Sequence, residues 1–208
     1  SNGACIWRFR PDTLRLEQFA QGLVNPWGHA QDPWGQSFAT DGAGGRGITY
    51  MFPGSAYWSH EYAGRELASL NPGRPNECAL EFLSGRHLPE DWQGTFMTND
   101  FRANRSTRYR LSESNSGYTS EFLGDMVVST HRGFRPIDVK VGPDGAIYIV
   151  DWYNVIIDHG EVDFHHPRRD KQHGRIWRLR AKHSPLLPRP QLADADVRTL
   201  LDALRVPE

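Results

Sequence analysis

Polar and apolar residues alternate along most of this chain in short runs broken by turn formers, the period-two pattern of half-buried β-strands. Residues 25–41 and 135–151 carry the pattern in the same form and align without a gap at an offset of 110. Pro26 falls on Pro136, Pro33 on Pro143, Gly35 on Gly145 and Asp41 on Asp151. Each copy reads as strand, tight turn, strand, because Pro presets φ within the turn and Gly tolerates the positive φ that ends it. A looser third copy lies between them: the apolar run Ala79 to Ser84, the turn Glu90 to Gly94, and the run Thr95 to Asp100. Third strands, alternating charged and apolar residues, are predicted at Arg108–Leu111 and Ile176–Leu179, at Ile6–Phe9, and more weakly at Ile48–Phe52. Fourth strands are predicted at Leu14–Phe19 and Tyr118–Leu123.

The repeat unit is about half the offset, near the ~40–50 residues of a propeller blade, and tandem four-stranded meanders are the mark of that fold. The expected fold is all-β: a β-propeller fragment of about three and a half four-stranded blades with a short C-terminal helix. The chain opens on a third strand and ends on another, duplicates rather than complements. It is therefore read as part of a larger propeller or as one that closes with a partner's help; a tight four-bladed ring is the alternative. The expected divisions are a partial propeller at 1–183, a Pro-rich linker at 184–191 and an amphipathic helix at 192–208. In the last, Val197, Leu200, Leu201 and Leu204 share one face, Asp194 or Asp196 can cap, and Pro207 ends the helix. That helix either packs on the propeller or opens a HEAT-like helical domain.

Connections in a meander alternate between its two ends, which sorts the loops. The short turns at 11–13, 33–35, 90–94 and 143–145 share one face. The opposite face receives Asn25, Asp41, the Gly-rich loop 42–47, Asp100, Arg102, Arg135 and all of residues 151–175. Binding residues sit on loops held by a rigid scaffold, so a site is expected on this second face.

Composition narrows the function. With 24 Lys+Arg against 25 Asp+Glu the net charge is −1, which gives no reason to expect nucleic acid or an anionic membrane as a partner. Hydrophobic residues make up 38%, enough for a core, and no stretch approaches the ~18–20 apolar residues of a membrane span. No basic-then-apolar signal opens the chain, so an export signal or anchor is expected outside it. Cys5 and Cys78 form no Cys-x-x-Cys and no haem-attachment motif. There is no nucleophile elbow, and the loop 42–47 lacks the Lys and Ser/Thr of a phosphate cradle.

The loop 151–175 holds most of the chemistry. Asp151, Asn154 and Asp163 form an all-oxygen set suited to Ca²⁺. A His-rich set would suit a transition metal, but no two histidines stand four apart and no thiolate joins them. The competing reading is a plug in which Arg168, Arg169 and the acids fix the loop by hydrogen bonds. Asp41, Asp100 and Asp151 recur at one blade position, the habit of a structural cap on the next turn. Trp152 and Trp58 are the loop aromatics placed to serve as ligand platforms. The remaining polar residues of this face are His159, Asp170 and His173.

Several motifs together carry a resemblance. They are residues 25–29, 34–36, 40–42, 84–89, 98–104, 134–138, 142–145, 151–154, 159–160, 169–170 and 174–178, in that order. The order resembles the propeller of bacterial PVC-type membrane-bound dehydrogenases, also called PVC-type haem-binding proteins, over roughly residues 3–183. More distantly it is similar to soluble quinoprotein glucose and sorbosone dehydrogenases. The resemblance implies a periplasmic or extracytoplasmic location, a cytochrome domain outside this chain, and pyrroloquinoline quinone with Ca²⁺ on the looped face. Two functions follow. One is an oxidoreductase acting on a sugar or related alcohol and passing electrons to a cytochrome, with Arg135, His166 and Arg169 positioning the cofactor or removing a proton. The other is a non-catalytic propeller that binds carbohydrate or protein.

Overall fold

The computed structural model describes residues 3–43, 47–57, 67–71, 73 and 76–206. Strands appear in the order β1 (Ala4–Arg10), β2 (Arg15–Leu23), β3 (Pro26–Gln31), β4 (Ser37–Asp41), β5 (Gly47–Met51), β6 (Ser55–Ala56) and β7 (Glu77–Leu83). They continue as β8 (Thr95–Asp100), β9 (Arg105–Ser114), β10 (Gly117–Val128), β11 (Pro136–Val141), β12 (Ile147–Asp151) and β13 (Arg175–Leu179), followed by one helix, α1 (Val197–Ala203). They form four sheets: β1-β2-β6, β3-β4-β5, β7 to β10 in sequence order, and β11-β12-β13. This is a propeller fragment of one half blade and three successors.

The repeat is reproduced residue for residue. Strands β3 and β4 map onto β11 and β12 at the offset of 110. Both hairpins pair their Pro with their Asp, Pro26 with Asp41 and Pro136 with Asp151, and both carry a β-bulge at the next residue. The first strands β3, β7 and β11 pack side by side at the centre. Gly28 makes the first of these contacts: a Cβ there would lie 2.2 Å from the Ala79 carbonyl carbon. Three apolar layers fill the spaces between blades. Ala20, Leu23, Ala39 and Met51 join the half blade to its neighbour. Phe38, Ile48, Leu80, Phe96 and Tyr109 fill the next gap, and Leu83, Met97, Val139, Ile147 and Ile149 the last.

Strand β6 pairs parallel to β2 and adds no fourth strand to β5. Only the blade β7–β10 is four-stranded among the described residues. There β1 and β13 pair on one side only, so no ring closes between them. Helix α1 is capped by Asp196, whose carboxylate accepts the Thr199 N–H at 2.7 Å. None of its residues is buried, so its apolar stripe does not pack on the propeller. The linker before it is tied down. The buried imidazole of His87 accepts the Ala181 N–H at Nε2 and donates from Nδ1 to the Pro185 carbonyl, each at 2.9 Å. Pro207 lies outside the described residues.

Candidate functional site

Asp41 and Asp151 end their hairpins in the same way. The Asp41 carboxylate accepts the Val24 and Asn25 N–H groups, both at 2.8 Å, and the Ala43 N–H. Asp151 accepts the Arg135 N–H at 2.7 Å, the Tyr153 N–H at 2.9 Å, Arg175 Nε at 2.8 Å and Trp177 Nε1 at 3.0 Å. Asp100 caps the Ala103 N–H and pairs with Arg105. These recurring acids are clasps: buried carboxylates that close the looped end of a blade by satisfying backbone donors.

The clasps bear on the expected Ca²⁺ donors. Asp151 is 1% exposed and both its oxygens are engaged. Buried Asn154 spends its amide on the Asp170 carbonyl and the Ile156 N–H. Exposed Asp163 accepts the His165 N–H. Among the described residues no three His, Cys, Asp or Glu side chains stand around one point as metal ligands would. The chain's own residues therefore do not fit a Ca²⁺ site at these positions.

Arg135 and Arg169 are likewise occupied. Arg135 is buried and its guanidinium donates to the Asn154, Phe101 and Arg102 carbonyls. Burial and the Arg102 charge hold its pKa below the ordinary value. Arg169 donates to the carbonyls of Asp158, His159, Val162 and Asp163 and lies 5.2 Å over the Phe164 ring. The loop is thus plugged, but by carbonyls and not by the expected acids. A loop without strand partners leaves carbonyls unpaired, and a guanidinium with five N–H groups satisfies several at once. His166 accepts the Arg168 N–H at Nδ1, so its proton sits on Nε2.

The looped face holds a cavity of about 610 Å³ walled by Trp27, Phe101, Ile137 and Trp152, with Asn25, Arg102, Asp158, His159 and Glu161 at its polar margins. Trp27 and Phe101 pack with ring centroids 5.4 Å apart. Of the sequence-predicted residues the cavity takes Asn25, Arg102, Trp152 and His159; Asp41, Asp100 and Asp151 are clasps behind it. Asp170 pairs with His173 Nδ1 at 2.9 Å beside a second, polar cavity. The Gln172 N–H and then His173 hold the Asp170 carboxyl below its usual pKa. Trp58 and residues 44–46 of the Gly-rich loop lie outside the described residues.

Trp27, Ile137 and Phe101 were not singled out from the sequence, although a signal for two of them existed. Trp27 and Ile137 are equivalent at the offset of 110, as are Gly42 and Trp152, and all four line the cavity. Trp27 and Ile137 each occupy the bulge after the strand's Pro, where the extra residue leaves the ladder.

These features define a β-propeller fragment with a ligand-sized cavity on its looped face. Residues 74–183 match the family described as "Domain of unknown function (DUF7133)", and the chain belongs to that family. No curated protein matches it. Among solved structures it is similar to the PQQ-bound aldose sugar dehydrogenase of Streptomyces coelicolor, with TM-score 0.53 and 16% identity over 85% of this chain and 51% of that one. A glucose dehydrogenase gives TM-score 0.52 and 21% identity over 81% and 48%. A Thermus thermophilus protein described as a putative oxidoreductase (glucose dehydrogenase) gives 0.52 and 22% over 67% and 41%. The chain spans about half the length of these proteins or less. At these identities the likeness is one of fold.

Proposed function

We propose that this chain forms the saccharide-binding part of a propeller oxidoreductase acting on a sugar or related alcohol. The observation that carries the reading is the aromatic-walled cavity on the looped face of a fold shared with sugar dehydrogenases. Flat aromatic faces such as Trp27 and Trp152 stack against the C–H faces of a sugar ring. Asp158, Glu161 and Asn25 supply acceptors for hydroxyl groups. His159 stands exposed at the margin, and His166, with its proton on Nε2, lines the neighbouring cavity. His159 is the candidate proton acceptor; His166, its Nδ1 taken by the Arg168 N–H, presents an Nε2–H that donates. The wider reading places the protein outside the cytoplasm, related to PVC-type membrane-bound dehydrogenases, with electrons passing to a cytochrome domain and α1 opening a HEAT-like domain.

Pyrroloquinoline quinone is the electron acceptor this reading names, and it would take up the electron pair of the alcohol. The residues of this chain do not make a seat for it together with Ca²⁺. The expected oxygen donors are spent on the fold, and Asp158 and Glu161 would repel the quinone's carboxylates.

The same commitments favour a second reading, a non-catalytic binding propeller, because Arg135 and Arg169 serve the backbone. Dye reduction by the full-length protein with added quinone, Ca²⁺ and a panel of aldoses separates the two. The first reading expects reduction with at least one aldose, weakened by Trp152→Ala. Silence across the panel, with sugars still quenching tryptophan fluorescence, establishes the second.

A further inference from the structure

The aromatic cavity does not stand alone. A cavity of about 580 Å³ shares Trp152, Asp158 and His159 with it. A third, of about 480 Å³, shares His165, Arg169, Asp170 and Lys171 with the second. The three adjoin through common walls, and the loop 151–175 contributes to each.

Their chemistry changes along the series. The first is aromatic with Arg102, Asp158 and Glu161 at its margin, two acids against one base. The third is formed by residues 165–173, which hold Arg168, Arg169 and Lys171 against the single acid Asp170, with three histidines. The Asp170 carboxylate is already engaged by His173 Nδ1 and by the Gln172 and His173 N–H groups. Arg169 is fixed on loop carbonyls but keeps its charge. Arg168 and Lys171 make no side-chain hydrogen bond or ion pair within the described residues, although Asp170 lies between them in sequence. Unpaired cations in a concave wall focus field and select an anion. Both side chains are exposed at the rim of this open cavity.

We propose that this third cavity binds an oxyanion, a carboxylate or a sulfate ester, borne by a saccharide whose neighbouring ring stacks at Trp152. The ligand is thus an acidic oligosaccharide, neutral at the aromatic end and anionic at the basic end. This rests on the saccharide reading of the aromatic cavity but requires no oxidation.

Tryptophan fluorescence titration of the chain tests it with four probes: maltotetraose, tetragalacturonate, a sulfated galactose tetramer, and sodium sulfate. Either acidic tetramer is expected to bind at least about tenfold tighter than maltotetraose, the gain of one charge-assisted contact. The Arg168→Ala/Lys171→Ala double variant should bring it down to the maltotetraose level without changing maltotetraose itself. Arg110→Ala, on the outer part of β9, should change nothing. The carboxylated and sulfated arms tell which oxyanion is preferred. Equal binding of neutral and acidic tetramers, an unchanged preference in the double variant, or sodium sulfate matching the tetramers overturns the proposal. Dye reduction by neutral aldoses without an acidic preference would sink this inference and leave the oxidoreductase reading standing. An acidic preference without dye reduction would do the reverse.

Discussion

At the scale of single residues, carboxylates do the fold's polar work. Asp151 gathers two backbone N–H groups, a guanidinium and an indole N–H at 1% exposure. Asp151→Ala leaves those donors unpaired in a buried place, so a loss of about 3–5 kcal/mol is expected in urea unfolding. A loss under about 1 kcal/mol would mean that the clasp works like a surface ion pair. Asp144 offers a pH test. Burial pushes its carboxyl up, but Tyr148, the Ala146 N–H and Arg178 outweigh this and hold it below the ordinary value. A depressed folded pKa gives stability that is present above about pH 4, the unfolded value, and is lost as pH falls through the folded one. The gap in unfolding free energy between wild type and Asp144→Asn should therefore be widest near neutrality and narrow below about pH 4. A gap independent of pH would contradict that sign. The clasp was legible in the sequence because Asp recurs at one blade position. The commitment of Arg135 was not, since a guanidinium aimed at carbonyls looks in sequence like one aimed at a ligand.

At the scale of elements, the period-two pattern and the two Pro–Gly turns were enough to place β3, β4, β11 and β12 residue by residue. What they could not give was the contact between blades. Gly28 shows why: its place in the sequence is that of any strand glycine, and only the approach of β7 makes it obligatory. Gly28→Ala would drive a methyl into the Ala79–Leu80 backbone, which cannot rotate away. A loss of at least about 1–3 kcal/mol is expected, read by denaturant unfolding. Gly160→Ala, where a Cβ meets nothing within 4 Å, is the matched control. The loop 151–175 follows the same lesson. Its near-balanced charges predicted a plug of ion pairs, whereas its unpaired carbonyls drew Arg169 instead. Arg169→Ala should cost about 1–3 kcal/mol and speed proteolysis between residues 158 and 169, while Arg168→Ala should leave both unchanged. Equal behaviour of the two variants would mean that the carbonyl contacts do not hold the loop.

At the scale of the whole molecule, the fragment leaves one blade half built. Strand β1 has a partner in β2 and none on its other edge among the described residues, and it carries Trp7 at 57% and Phe9 at 54% exposure. Leu16 on β2 is 59% exposed. An unpaired strand edge beside apolar side chains is the surface that β-proteins normally cover or charge. The charges here lie within the sheet: Glu17 is drawn to Arg8 and Arg15, so the edge is only partly guarded. The chain should consequently associate as its concentration rises, with an apparent mass by light scattering that climbs and then relaxes on dilution. Trp7→Ser with Leu16→Ser should lower that association without unfolding the protein, because neither side chain belongs to the layers between blades. Helix α1 supplies the control. Its exposed Leu200, Leu201 and Leu204 also form an apolar stripe, so Leu201→Ser with Leu204→Ser tests whether association runs through the helix instead. Loss of association in the second pair alone would place the contact on the helix. A monomer at every concentration would overturn association through the β1 edge.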